Sequence, residues 1–335
     1  MLKMENNKMK RTILFVTQTL GFKAACGIGL MGDVTGKVLL EHPEFNFKMI
    51  YADDMNTVED AILSLSPEAI VYNYAPGTTP WMDHPHLRNV FPHIKHLRIM
   101  HDMSQSIADS YLPRFNHGWE YIIADDPSVK ETQYVFTTNR LLPGKPTVSY
   151  IEPEKPIIGF QGFGPPHKGI ARLAHKVQEE FNEATLRLHI PFGFYEDQIH
   201  GRKGSNALAR AEEVKRIITK PGIDVIITHD LLDTQQIIDL LAQNTINCYF
   251  YDYLDGCGLA SSPDYALASG RPIAVTRSHQ MRNYWDLEPS VLIENSSIKQ
   301  ILANGTAPLE PLYKAYSKES VWQDYSRILN RLLNK

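Results

Sequence analysis

Short apolar runs alternate along the chain with stretches of helical period, and this alternation sets the first expectation. In the first half, runs at 13–17, 47–52, 69–72, 97–101 and 121–124 read as strands. In the second half the corresponding runs are 157–161, 185–189, 224–228, 248–251, 273–276 and 290–293. Helical spacing occupies 32–41 and 57–65, then 168–181, 207–219, 234–242 and 297–303. A last stretch, 322–333, sets Tyr325, Ile328, Leu329 and Leu332 on one helical face. Strands separated singly by helices imply an α/β protein with parallel sheets. The stretch 142–156 carries neither period and holds Pro143, Gly144, Pro146, Pro153 and Pro156, so it reads as a linker between two halves. No repeat of solenoid length is present.

Size agrees with two halves. A chain of 335 residues is long for one core and natural for two domains of about 150 residues each. The expected organisation is a polar tail at 1–11, a first domain at 12–150, a second at 151–315, and a terminal helix at 316–335. A formal net charge of −4 supplies no overall basic field for nucleic acid or anionic lipid. The apolar run behind the basic first residues is too short for a signal core, and no stretch approaches the ~20 apolar residues of a spanning helix. A cytoplasmic protein is expected, with peripheral membrane attachment left open. Cys26, Cys248 and Cys257 lack metal spacing and read as free thiols of a reducing compartment. His84, His86, His93 and His96 share no helical face and read as scattered surface histidines.

Candidate chemistry concentrates in three places. The segment 249–276, YFYDYLDGCGLASSPDYALASGRPIAVT, reads as strand, glycine-rich loop, short helix and strand. A loop beyond a strand's carboxyl end that feeds a helix is where α/β proteins hold anionic ligands. Upstream, Gly162-Phe163-Gly164 leads from a strand to Lys168-Gly169 at a helix start. A lysine there, with helix amides, can stabilise charge on phosphate oxygens. The third place is His101-Asp102 at a strand end, where His101 is either an acid/base candidate or a loop histidine bonded to backbone. Gly27-x-Gly29-x-x-Gly32 also matches a dinucleotide fingerprint, with Asp53 and Asp54 downstream. The preceding strand ends near Gln18, however, whereas that fingerprint starts its turn directly after the strand.

The two later segments resemble the donor site of retaining glycosyltransferases with the GT-B fold, glycosyltransferase family four especially. Asp255-Gly256-Cys257-Gly258-Leu259 followed by Tyr265-Ala266-Leu267-Ala268-Ser269-Gly270-Arg271-Pro272 is similar to that family's Glu-Gly-Phe-Gly-Leu and Glu-Ala-Met-Ala-x-Gly-x-Pro. Gly162 to Gly169 is similar to its Gly-Arg-x-x-x-x-Lys-Gly. The resemblance covers most of the C-terminal half and is architectural in the N-terminal half. It implies two Rossmann-type domains whose parallel sheets face a central cleft, with the terminal helix packing back across the junction.

It also implies a metal-independent enzyme without a cofactor, moving a sugar from a nucleotide-sugar substrate with retention. Lys168 and His101 would be catalytic. Gly162, Gly164, Asp255, Gly256, Gly258, Leu259, Asp264, Tyr265 and Arg277 would bind the donor, and Gly27 and Gly29 would form an acceptor-side loop. The acceptor is not identified: a glycan, lipid-linked glycan, protein or modified nucleic-acid base all fit. No Asp-x-Asp spacing calls for a metal. Phe163 stands in place of the family's diphosphate-binding Arg, for which Arg202, Lys203, Arg277 and Arg282 are candidate substitutes. Asp255 replaces the first Glu of the acidic pair. The longer loop puts Tyr265 at the second Glu, with Asp264 beside it as ligand contact or helix cap. The alternatives are a non-catalytic GT-B-like binding protein and, behind it, an NAD-dependent oxidoreductase.

Overall fold

The computed structural model describes residues 10–19, 27–113, 118–193, 204–254 and 257–334. Its first half runs β1 (Thr12–Thr17), α1 (Gly27–Leu39), β2 (Asn46–Tyr51), α2 (Met55–Leu65), β3 (Ala69–Asn73), α3 (His86–Val90), β4 (Lys95–Met100), α4 (Gln105–Ser110), β5 (Tyr121–Ala124) and β6 (Val135–Thr137). The second half runs β7 (Ile157–Gln161), α5 (Ile170–Glu180), β8 (Ala184–His189), α6 (Ser205–Ile217), β9 (Ile223–Thr228), α7 (Thr234–Ala242), β10 (Ile246–Tyr249), α8 (Ser262–Ala268) and β11 (Ile273–Val275). It closes with α9 (Ile298–Ala303), α10 (Glu310–Ala315) and α11 (Lys318–Leu333).

The strands form two parallel sheets, ordered β2-β1-β3-β4-β5-β6 and β11-β10-β7-β8-β9. Each is doubly wound. Chain order reverses beside β1 in the first sheet and between β7 and β10 in the second, and such reversals open a crevice at the strands' carboxyl ends. The central strands are apolar on both faces because helices cover both, as at Ile13, Leu14, Phe15 and Val16, which are wholly buried. Helix α5 buries Ile170, Leu173, Ala174 and Val177, a single stripe of helical period. From the far end of the chain, α11 lays Val321, Tyr325, Ile328, Leu329 and Leu332 against the first sheet, beside Phe15, Val71 and Leu97. Among the described residues, no helix is long and apolar enough to cross a membrane.

Three expectations need correction, and one strand was missed. Residues 290–293 make a single bridge, Val275 to Leu292, and no strand. The amides of Asn295 and Ser296 both turn back to the Leu292 carbonyl and lead the chain away. The three-residue strand β6 gave too short a pattern to read. Helix α1 starts at Gly27, so Gly27 and Gly29 lie in a helix rather than a loop. Gly32 serves packing there: a Cβ would fall on the side-chain amide of Asn73 at the end of β3. His96 is not a surface residue. It is 7% exposed, stacked on Tyr72 at 5.9 Å, with Nδ1 3.1 Å from the Tyr72 hydroxyl. Burial pushes its imidazole down to about 4.

A cleft between the two sheets

The carboxyl ends of both sheets open into one cleft of roughly 660 Å³. The first sheet contributes Gly27, Ile28, Leu30 and Met31 at the start of α1, and His101 and Asp102 beyond β4. The second contributes Gln161 at the end of β7 with Phe163 and Lys168 beyond it, and His189 at the end of β8. Leu231 and Leu232 follow β9, and Leu259 to Ser262 precede α8.

On the first-sheet side His101 is fully wired. Its Nε2 lies 2.8 Å from Asn73 Oδ1 and its Nδ1 lies 2.9 Å from Asp125 Oδ2. The Asn73 amide donates to the Ile28 carbonyl at 3.1 Å, which turns its oxygen toward the ring. Both ring nitrogens therefore lie within hydrogen-bond distance of an oxygen. These two contacts fix the orientation of the His101 ring at the cleft wall. Burial pushes the Asp125 carboxyl up, but the neighbouring His101 and Arg140 outweigh it and hold it below its ordinary value.

Arg140 joins the halves. It donates from Nη1 to Asp125 Oδ2 at 3.1 Å and from Nη2 and Nε to Asp264 Oδ2 at 2.6 and 2.9 Å. Asp264 is 1% exposed and forms no part of the cleft wall, so its assignment to donor binding or capping is corrected. It is an inter-sheet ion-pair partner within the first turn of α8. Burial pushes its carboxyl up to about 6, although Arg140 pulls the other way. Arg282 makes a second bridge. It is ion-paired with Asp126 and donates to the carbonyls of Cys257 and Met103 at 3.0 and 3.1 Å. It is committed to the junction rather than free for a diphosphate.

Across the cleft, Lys168 ends a 3-10 turn, Pro166–Lys168, and Gly169 follows with φ 63° as the cap of α5. A Cβ on Gly169 would run into the Phe250 carbonyl, so glycine is required for the turn to reach β10. Lys168 Nζ lies 3.9 Å above the Tyr251 ring. Among the described residues of the cleft wall, Arg140 is ion-paired and Lys168 is in no ion pair. Gly162 (φ 150°) brings the backbone close to Ser262, where a Cβ would lie 3.1 Å from its Oγ.

The remaining sequence-selected residues divide. Gly162, Leu259 and Tyr265 line the cleft with Lys168 and His101, as does Gly27. Gly29 is buried within α1 and is not on the wall. Gly164 packs against the start of α6, near Asn206 and Ala207. Gly258 abuts the His101 carbonyl and donates to Asp102 Oδ1 at 3.3 Å, making it a junction residue. Arg277 is exposed away from the cleft, 5.8 Å over Trp285. Asp255, Gly256, Arg202, Lys203 and Cys26 lie outside the described residues. A Cβ on Gly27 would meet Ser261 of the opposite half, so its close approach serves the junction. Sequence reading missed Gln161, His189 and Gln280, whose only signal was their place just after a strand end or a glycine-rich loop.

No protein-family model matches the chain, and no curated protein matches it. Solved structures do. Anabaena HepE in complex with UDP and glucose superposes with a TM-score of 0.61 at 11% identity, covering 96% of this chain and 100% of that one. A glycosyltransferase from Rickettsia africae gives 0.60 at 11% identity, with 97% and 99% covered. An alpha-glucosyltransferase in complex with UDP-glucose and DNA containing an abasic site gives 0.57 at 12% identity, with 96% and 99% covered. These likenesses span both halves and define the fold as GT-B-like, two Rossmann-type domains facing a central cleft.

Proposed function

We propose that this chain is a glycosyltransferase that takes a sugar from a nucleotide-sugar donor. The observation that carries the reading is Lys168, a cation in no ion pair among the described residues, set where β7 and β10 diverge and facing the first sheet's own crevice. As a glycosidic bond to a diphosphate breaks, negative charge collects on the departing oxygens, and a positioned ammonium stabilises it. The far end of the cleft, at Leu231, Leu232 and Ile237, offers the apolar walls that a nucleobase needs. The first-sheet side, with the fixed His101 edge, is left for the acceptor. Retention, metal independence and kinship to family four rest on the resemblance of Gly162–Gly169 and the loop before α8. The fold of structures that hold UDP or UDP-glucose supports the donor class.

The test is calorimetric titration of the full chain with UDP, GDP, ADP and CDP, followed by release of nucleotide from the matching sugar donors. No binding by any of the four overturns the proposal. A second reading, nucleotide binding without transfer, is favoured by Phe163, which lines the cleft where the resembling family has a cation. It predicts binding with neither donor hydrolysis nor transfer.

A further inference from the structure

Two buried polar atoms in the floor of the cleft have no hydrogen-bond partner among the described residues. Gln161 ends β7, His189 ends β8, and the two are paired in the parallel register. They are 8% and 2% exposed, and both line the cleft. Gln161 Oε1 and His189 Nε2 make no hydrogen bond. Buried polar atoms are rarely left unpaired, and two side by side in a cavity wall mark a place where a ligand completes them. His189 is already oriented, with Nδ1 2.8 Å from Thr228 Oγ1. Burial pushes its imidazole down to about 4 against the weaker pull of Asp230, so at neutral pH this floor carries no charge. A neutral floor supplies no countercharge for a phosphate. It suits a hydroxyl, which donates and accepts at once.

The sheet order fixes which hydroxyl. Strand β8 lies between β7, which leads to Lys168, and β9, which leads to Leu231 and Leu232. A nucleoside diphosphate with its phosphates at Lys168 and its base at the leucines lays its pentose over the β7–β8 boundary. We propose that Gln161 and His189 together bind a hydroxyl of that pentose and make the cleft selective for ribonucleotides. This assignment rests on the nucleotide reading above.

The experiment compares UDP with 2′-deoxy-UDP and 3′-deoxy-UDP by calorimetry on the full chain, or the same trio of another nucleoside diphosphate if that one binds instead. At least one deoxy form is expected to bind about tenfold more weakly than the ribonucleotide. Gln161→Met keeps the length and removes both polar atoms. It is expected to lose about tenfold for the ribonucleotide and most of the discrimination. The wild-type comparison stands without any variant, should that one fold poorly. Equal affinity for all three overturns the pentose assignment and leaves the nucleotide reading intact. So does a Gln161→Met defect confined to the nucleotide sugar, which would move the hydroxyl to the transferred sugar. No binding by any nucleoside diphosphate overturns both.

Discussion

Lys168 is held by backbone geometry and by the Tyr251 ring, with no ion pair among the described residues. The 3-10 turn before it and the left-handed Gly169 after it aim its ammonium at the cleft, over Tyr251. Lys168→Ala therefore removes one cation without opening a core. Loss of a single positioned charge at a departing group costs about 2–4 kcal/mol in the transition state. The expected outcome is transfer reduced by two to three orders of magnitude at a nearly constant melting temperature. Steady-state kinetics and thermal melting on the same preparation check it, and unchanged turnover in a folded variant removes Lys168 from the mechanism. Asp264 behaves differently from what its neighbourhood in sequence suggests. Its partner Arg140 is 124 residues away, and no local pattern announces a contact at that range.

At the scale of elements, the junction between β7 and α5 carries the sharpest constraint. Gly169 has φ 63° and no room for a Cβ against the Phe250 carbonyl. Gly169→Ala meets backbone strain and a backbone clash together, and should destabilise the fold by about 2–4 kcal/mol. Denaturant unfolding measures this; a loss below about 0.5 kcal/mol, the range of neutral surface changes, would show that the turn can move. The strands and most helices were legible because their hydrophobic periods are local. Helix α7 falls on its expected range, 234–242, where Asp233 and Gln236 form a capping box. The short helices α3, α4 and α10 span only five or six residues, less than the two turns that make a period visible.

For the whole molecule, the two halves are joined by buried charge. Arg140 and Asp264 have side chains 3% and 1% exposed. Removing one member strands the other, so Asp264→Leu is expected to cost about 3–5 kcal/mol. Arg140→Met combined with Asp264→Leu should recover part of that loss, because neither member of the pair is stranded and Asp125 keeps its contact with His101. A double-mutant cycle by denaturant unfolding measures the coupling, and simple additivity would refute it. Acid stability follows from His96 and His189, both pushed down to about 4 by burial from an ordinary 6.5. The unfolded chain takes up these protons below pH 6.5 and the folded one only near 4. Their contribution is thus complete above pH 6.5 and lost as pH falls between those values, by about 1–3 kcal/mol each. Asp264, raised from 3.8 to about 6, opposes this from about pH 6 downward, since the folded state gains its proton first. Melting temperature should fall from pH 7 to pH 4.5, and less steeply in His96→Phe. The same slope in both proteins is the contrary result.

Sequence alone determined the alternating α/β order and the two glycine-rich segments that end at Lys168 and begin before α8. These depend on period, turn chemistry and spacing, which operate within a few residues. Tertiary structure decided which groups face the ligand. It paired Asp264 with Arg140, turned Arg282 to Asp126, and closed Gly258 onto His101. It also brought Gln161 and His189 side by side, because parallel register sets residues of separate strands as neighbours. A side chain's freedom to bind depends on what the rest of the fold has already placed against it, and that information lies in contacts between distant positions.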